Sequence, residues 1–212
     1  MESQQYQYTK KEERKVMRYI ERQFGKYERI LSSEKDRFGV QPGIIVFPPT
    51  DEQPFYKLVT KGAGAIRMDR APKGNPKRAE YVIFLPPEWD MKFEEESSYW
   101  PLDALYNVLE IPLAEGGWLA SGARVEWGRP LAENVGFDSF LLTTAIGREN
   151  QPVQPLRLKL FGDKLYFYHL FPLYPEERKQ ARFENREDFL AYLERFDIND
   201  MIIDVNRPKR GI

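Results

Sequence analysis

The sequence predicts an α+β fold in which helices flank a central, mainly antiparallel or mixed β-sheet. Two short apolar runs carry this prediction, residues 44–47 before Pro48-Pro49 and residues 81–85 before Pro86-Pro87. Each run has the length of a buried strand, and the prolines that follow it lack the backbone N–H that a β ladder needs. Apolar residues at helical spacing near both ends of the chain predict the flanking helices.

The first helix is predicted from its caps and its apolar spacing. Thr9 can serve as N-cap, and Glu12, three residues later, completes a capping box. Gly25 is a suitable helix stop. Between them, four apolar residues recur at helical spacing: Val16, Met17, Ile20 and Phe24. This stripe predicts core packing rather than a cofactor site.

Three strands are predicted in the first half of the chain, at about residues 43–47, 55–61 and 79–85. Because short connections usually join spatial neighbours, we expect these strands to be adjacent in one sheet. Strands that end at paired prolines are typical of sheet edges, so 43–47 and 79–85 are candidate edges. An accessible edge of this kind can accept an extended peptide as an added strand.

The second half of the chain predicts further helices and strands. A helix is expected near Ser98 with Pro101 in its first turn, and its buried side would be Leu102, Leu105, Tyr106 and Leu109. Strands are expected at residues 123–127, 139–144, 156–160 and 164–171, the last two joined by a two-residue turn at Gly162-Asp163. Two helices follow, at 175–182 and after Asn185. The apolar residues of the last helix are Phe189, Leu190, Leu193 and Phe196.

Length and composition predict one domain that spans residues 1–212, with 1–8 and 208–212 as frayed ends. The chain has no cysteine, which excludes disulfides and thiolate metal sites. No apolar run approaches the roughly 20 residues needed to cross a bilayer, and the N-terminus lacks the apolar core of a signal peptide. We therefore expect a cytoplasmic protein without a membrane partner.

Acidic residues are concentrated in one part of the sequence. The net charge is −1, yet residues 86–138 hold three Lys/Arg against eleven Asp/Glu, a local balance of −8. If these carboxylates share one surface, that surface attracts a basic protein and repels nucleic acid. Glu94, Glu95 and Glu96 are the candidate contacts. A solvated face is the alternative interpretation of such a run.

Catalytic and cofactor motifs are scarce in this chain. His169 is the single histidine, and its apolar neighbours predict a core position. Gly62-Ala63-Gly64 lacks the Gly-Lys-Ser/Thr ending of a phosphate loop and predicts a turn with positive φ. We predict no enzyme, no cofactor and no metal site. The alternative is a hydrolase that uses Glu80, Asp69 and His169, which would have to converge within about 3–4 Å in a deep pocket.

The order of several short motifs resembles one known family. The two Pro-Pro motifs flank an aromatic-rich strand and a glycine turn, and three further motifs follow in order: Tyr99-Trp100-Pro101-Leu102, Gly116-Gly117-Trp118-Leu119 and the passage at 167–177. Together they span roughly residues 25–207 and resemble the suppressor of fused domain family, as a single-domain bacterial-type member. The resemblance implies that family's α+β domain and a role in binding proteins.

The resemblance also implies candidate contacts. Animal suppressor of fused sequesters a transcription factor by clamping its peptide as an added strand, and by motif position Tyr56, Asp69 and Glu80 match residues that line that groove. In that protein a second domain closes the clamp, and the 212 residues of this chain are too few to contain it. Single-domain bacterial members look like immunity proteins that bind and neutralise a partner toxin, and the acidic stretch would suit a basic one.

Overall fold

The computed structural model describes residues 6–32, 42–113, 117–159, 162–181, 188, 191–192, 194 and 198–209. Within them, the strands are β1 (Arg29–Ser32), β2 (Gly43–Phe47), β3 (Tyr56–Lys61), β4 (Arg78–Leu85), β5 (Arg124–Glu126), β6 (Ser139–Thr144), β7 (Leu156–Arg157) and β8 (Lys164–Leu173). The α-helices are α1 (Lys10–Phe24), α2 (Glu96–Asn107), α3 (Glu110–Leu113) and α4 (Pro175–Gln180). Short 3₁₀ turns lie at Ala63–Ala65, Arg148–Asn150 and Asn199–Met201.

These strands form one mixed sheet in the order β1-β2-β3-β4-β8-β6-β5, with β7 paired to β8. The pairs β2–β3 and β3–β4 are antiparallel, which confirms that the three predicted strands are neighbours. β4 and β8 pair in parallel, so the predicted α+β class with a mixed sheet is confirmed. No helix of the described residues combines the length and the apolar character needed to cross a bilayer.

The prediction that the strands before the proline pairs are sheet edges is wrong. β2 lies between β1 and β3, and β4 lies between β3 and β8, so both are interior strands. The prolines cause no conflict because they follow Phe47 and Leu85, the last residues of their strands, and remove no N–H from the ladder. The ends of the sheet are instead β1, which the sequence did not predict, and β5.

Both faces of the sheet are covered by packed residues. Alternate residues of each strand point to opposite faces, so each strand contributes to both. On one face, Val82 and Phe84 of β4 pack with Ile20 and Phe24 of α1. On the other face, Tyr81 and its alternate neighbours pack with residues of α2. Burial on both sides explains why β2 and β4 read as continuous apolar runs. We call these the α1 face and the α2 face.

The first helix has the predicted ends. Thr9 accepts a hydrogen bond from the backbone N–H of Glu12, and the Glu12 carboxylate accepts from the Thr9 backbone. Gly25 ends the helix at φ 106°, a value that favours glycine. Val16, Ile20 and Phe24 are buried, whereas Met17 of the predicted stripe is half-buried.

The second helix starts earlier than predicted. It begins at Glu96, because the backbone N–H groups of Ser98 and Tyr99 both donate to the Glu95 carbonyl oxygen, at 3.0 and 2.8 Å. Pro101 therefore lies in the second turn rather than the first. The predicted buried side is nevertheless present: Leu102, Leu105, Tyr106 and Leu109.

The predicted two-residue hairpin turn at Gly162-Asp163 is wrong. Arg157 pairs with Lys164, so the connection between β7 and β8 spans residues 158–163. β7 is correspondingly short and ends before the predicted residue 160. The predicted helix at 175–182 corresponds to α4, while the side chains of the predicted last helix lie outside the described residues.

The described parts of the two predicted frayed ends make specific contacts. Near the N-terminus, Tyr8 donates a hydrogen bond to Glu80 at 2.6 Å. Near the C-terminus, Lys209 forms an ion pair with Glu176 at 2.8 Å. Residues 1–5 and 210–212 lie outside the described part of the chain.

Candidate functional site

The three residues that the family resemblance assigns to a groove lie apart. Tyr56 is half-buried at the start of β3, on the α2 face, and pairs with Leu85. Glu80 lies between Ala79 and Tyr81, which face α2, so its side chain points to the α1 face. Glu80 and Leu85 are five positions apart in β4, about 16 Å along the strand. Asp69 is exposed in the loop before β4 and pairs with Arg67 at 2.9 Å.

Glu80 is completely buried and bound by groups of the protein itself. Its Oε1 accepts hydrogen bonds from the Tyr8 hydroxyl at 2.6 Å and from the backbone N–H groups of Gly62 and Gly64 at 3.0 and 3.2 Å. Its Oε2 accepts from the Thr60 hydroxyl at 2.6 Å. A Cβ at Gly64 would overlap the Tyr8 hydroxyl, so glycine permits this close approach. The carboxylate fastens the N-terminal segment and the Gly62 turn to the sheet.

Burial raises the pKa of Glu80, although its four hydrogen bonds oppose that shift. A carboxyl group with a raised folded-state pKa stabilises the protein most at low pH, and this contribution is lost as the pH rises through that pKa. Glu80→Gln keeps the size and one of the two acceptor oxygens, and it removes the titration. We therefore expect the wild type to lose stability relative to Glu80→Gln as the pH rises above the ordinary carboxyl pKa of 4.5. Urea denaturation over this pH range measures the difference.

Glu149→Gln, at an exposed position, is the matched control for removal of one carboxylate. A stability difference between the wild type and Glu80→Gln that is independent of pH would contradict this role of Glu80.

His169 is also completely buried, as the sequence predicts for a core histidine. Its ring stacks on Phe84 with centroids 4.7 Å apart, and neither ring nitrogen has a hydrogen-bond partner in the described part of the chain. Burial lowers the pKa of His169 to about 3, and the backbone of Met201 opposes this shift only in part. The imidazole is therefore neutral at ordinary pH.

The residues of the hydrolase alternative do not converge. Glu80 pairs with Phe167 and Val82 pairs with His169, so Glu80 and His169 are two residues apart along their strands, and both are sealed from solvent. Asp69 is exposed and bound to Arg67. Among the described residues, no group of three or more His, Asp or Glu side chains could hold a metal ion.

The structure instead forms a cleft that the sequence alone did not predict. We call it the acidic cleft; its volume is about 740 Å³, and it is lined by residues 86–90, 97–98, 133–135, 199 and 202–206. Its charged lining residues are all carboxylates: Glu88, Asp90, Glu133 and Asp204. All four are exposed, and none of the described residues that line the cleft is Lys or Arg.

Two sets of contacts hold the walls of the acidic cleft. The Trp89 indole N–H donates to the Ser98 carbonyl oxygen at 3.1 Å, and its ring meets Trp100 edge-on at 6.0 Å. The segment 202–206 is attached to the end of β4, where the Ile203 N–H donates to the Phe84 carbonyl oxygen at 3.0 Å. The loop after β4 and the segment 199–206 therefore stand side by side because both are anchored to the sheet.

The acidic stretch 86–138 is divided by the fold. Glu94, Glu95 and Glu96 are exposed and directly precede Ser97 and Ser98 of the cleft, but they do not line it. Other carboxylates of the stretch are neutralised elsewhere, since Arg178 pairs with both Glu126 and Asp138. Asp204 belongs to the cleft although it lies far outside the stretch, and no local signal in the sequence marks it.

Comparisons with known proteins agree on one family. The model of the suppressor of fused protein family matches residues 40–208. A suppressor of fused homologue from Neisseria gonorrhoeae FA 1090 has a similar structure, with a TM-score of 0.59 and 16% identity over 93% of this chain and 95% of that one. A chain in the crystal structure of the Sufu–Fu complex has a TM-score of 0.63 and 14% identity, over 92% of this chain and 90% of that one. At these identities the two structures show the fold alone.

Sequence comparison adds one curated relative. The chain is 30% identical over 107 residues to the uncharacterized protein UU111 of Ureaplasma parvum serovar 3 (strain ATCC 700970). That match covers 50% of this chain and 51% of UU111, so the chain spans about half the length of the curated relative that it matches.

Proposed function

This chain belongs to the suppressor of fused protein family, and on that premise we propose that its acidic cleft receives a basic segment of a protein partner. The domain is of the protein-interaction type, and one structural neighbour is named as a complex, Sufu–Fu. The observation that carries the proposal is the cleft itself, which four carboxylates line without a cation among the described lining residues.

The walls of the cleft suit lysine and arginine side chains. Its apolar lining residues are Pro86, Pro87, Trp89, Ile202 and Val205, among others. The aliphatic stem of a lysine or arginine can pack on such apolar surface while its charged end meets a carboxylate. A partner cation over the Trp89 ring would add a cation–π contact. The same carboxylates repel phosphate, so nucleic acid is disfavoured as a partner.

The finer proposal concerns the biological role. We propose an immunity-type protein whose partner is a toxin with a basic surface, since a surface that complements the toxin in charge speeds its capture and favours it over other partners. The −8 balance of residues 86–138 supports such a partner. In this proposal the chain performs no catalysis itself.

The groove assigned by the family resemblance remains a second proposed contact. Tyr56 is half-buried and Asp69 is exposed, so both can contribute to a surface. Glu80 can touch a partner only if the Tyr8 side chain leaves it, because that hydroxyl and three other donors occupy the carboxylate. A partner at this groove should therefore compete with Tyr8.

Affinity capture from the source cells, followed by mass spectrometry, identifies a partner whose binding can be measured. We expect Glu88→Lys with Glu133→Lys to slow its association by about tenfold at low salt, because both changes reverse the field that steers a basic protein. Association of the wild type should also slow as salt rises. The matched control, Glu21→Lys with Glu149→Lys, makes the same net change at exposed positions outside the cleft.

A second set of variants maps how far the surface extends. The reversal of Glu94, Glu95 and Glu96 to Lys should slow association less than the cleft variant, because these residues lie beside the cleft. An association rate that changes neither with salt nor in the cleft variant would contradict binding at the acidic cleft and favour the groove at Tyr56. Co-expression with the captured partner tests the finer proposal, since failure to relieve growth inhibition would reject the immunity role but keep the binding role.

A further inference from the structure

Lys57 is a buried cation without a carboxylate partner. It lies on β3 between Phe47 of β2 and Phe84 of β4, and only 1% of its surface is exposed. Among the described residues, Lys57 makes no ion pair, and its ammonium group donates one hydrogen bond, to Gln53 Oε1 at 3.1 Å. A buried charge is normally paired, because removal from water is costly. The ammonium also lies over the Phe55 ring, 5.1 Å from its centroid, but a buried ammonium whose one acceptor is neutral is still unusual.

The neighbourhood of Lys57 is arranged around that single acceptor. Gln53 Nε2 donates to the Gly147 carbonyl oxygen at 2.9 Å and to Asn150 Oδ1 at 3.0 Å, which turns its Oε1 towards Lys57. Asn150 reaches this position from a turn with φ of 55°, a conformation that asparagine tolerates better than most residues. The amide is thus held at both ends.

A second cation stands beside the first. Burial, and to a smaller extent the positive charge of Arg148, lowers the pKa of Lys57 to about 8. Arg148 is exposed and lines the same cleft as Lys57 and Gln53, and its side chain makes no ion pair among the described residues. An anionic group near both cations would give the buried ammonium a charged acceptor.

These groups border a cleft that opens to solvent. We call it the Lys57 cleft; its volume is about 600 Å³, and it shares no lining residue with the acidic cleft. Phe24, Tyr27 and Pro48 form apolar parts of its lining. Its other charged lining residues are exposed: Lys26, Glu28, Asp51 and Glu52. The buried cation therefore lies beneath a surface of mixed charge.

We propose that the Lys57 cleft binds one anionic group, a carboxylate or a phosphate, on a ligand whose remainder is apolar or positively charged. Lys57 and Arg148 would share the anionic group, and the two unused N–H bonds of the ammonium would gain a charged acceptor. Glu28, Asp51 and Glu52 would repel a polyanion, which excludes nucleic acid as the ligand. The apolar lining would hold the body of the ligand.

The test uses the full chain and two simple probes, acetate and inorganic phosphate, each added in place of chloride at constant ionic strength. The resonance of Lys57 Cε is followed by NMR as the pH is varied. Binding should raise the pKa of Lys57 saturably with probe concentration, because an anion stabilises the ammonium. A response to acetate alone assigns a carboxylate ligand, and a response to phosphate alone assigns a phosphate. A pKa that neither probe raises would overturn the proposal.

Variants connect the response to the residues. Arg148→Gln should weaken probe binding by about tenfold, the loss expected for one charge-assisted hydrogen bond. Lys57→Met should abolish the thermal stabilisation that the probe gives the wild type. The control Lys73→Met removes an exposed lysine from the loop before β4 and should bind like the wild type. Wild-type affinity in Arg148→Gln and in Lys57→Met would overturn the proposal, and the wild-type titration needs no variant to fold.

Discussion

Replacement of Arg207 by methionine is expected to lower the free energy of unfolding by about 3–5 kcal/mol, because the buried Glu177 carboxylate loses the guanidinium that compensates its charge. Arg207 is 8% exposed and Glu177 is 2% exposed. The guanidinium donates to both Glu177 oxygens, at 2.5 and 2.6 Å, and to the Pro172 carbonyl oxygen at 2.9 Å. It also lies over the rings of Phe137 and Tyr174, at 5.1 and 4.8 Å from their centroids. This pair attaches the C-terminal segment to α4 and β8.

Replacement of Glu177 as well distinguishes the effect of the buried charge from the effect of packing. Arg207→Met combined with Glu177→Met should restore much of the lost stability, because an apolar pair of similar size leaves no buried charge. Lys209→Met is the control from the same segment, and its exposed pair with Glu176 should contribute little. Urea unfolding of the wild type, Arg207→Met, Glu177→Met and the double variant measures the coupling, with Lys209→Met as the control. An Arg207→Met variant as stable as Lys209→Met would show that the buried pair does not hold the segment.

Acidification from about pH 6.5 to about pH 5 is expected to cost roughly 2 kcal/mol of stability through His169 alone. The folded-state pKa of His169 is lowered to about 3 from an ordinary 6.5. Between pH 6.5 and about pH 3, the His169 side chain is protonated in the unfolded chain but neutral in the folded chain. The contribution of His169 to stability is therefore fully present above pH 6.5 and is lost as the pH falls. Stacking on Phe84 places the imidazole where a charge cannot be solvated.

His169→Gln removes this titration and keeps a polar side chain of moderate size. The stability difference between the wild type and His169→Gln should therefore shift in favour of the variant as the pH falls. The raised pKa of Glu80 acts in the opposite direction, but it is present in both proteins and cancels in the comparison. Urea denaturation at several pH values measures the shift. A constant difference would mean that the imidazole is protonated as readily in the folded chain as in the unfolded chain.

Local signals in the sequence determined most of the secondary structure. The capping box of Thr9 and Glu12 and the stop at Gly25 set the ends of α1, because caps depend on residues within one turn. The runs before the proline pairs became β2 and β4, because a strand buried on both faces needs a continuous apolar sequence. The glycine turn at 62–64 has the expected positive φ at Gly62. The motif order also indicated the family to which the chain belongs.

The tertiary structure alone decided which strands are interior, because pairing of β4 with β8 joins segments about 85 residues apart and no local pattern specifies that partner. It also decided which charged residues are buried and which line a cleft. Glu80 is sealed by Tyr8, 72 residues away, and Lys57 is covered by Gln53, which the turn at 148–150 holds. Asp204 enters the acidic cleft because Ile203 bonds to the end of β4. A charge becomes a surface contact, a buried anchor or part of a cleft according to what packs over it, and packing brings together residues distant in the chain.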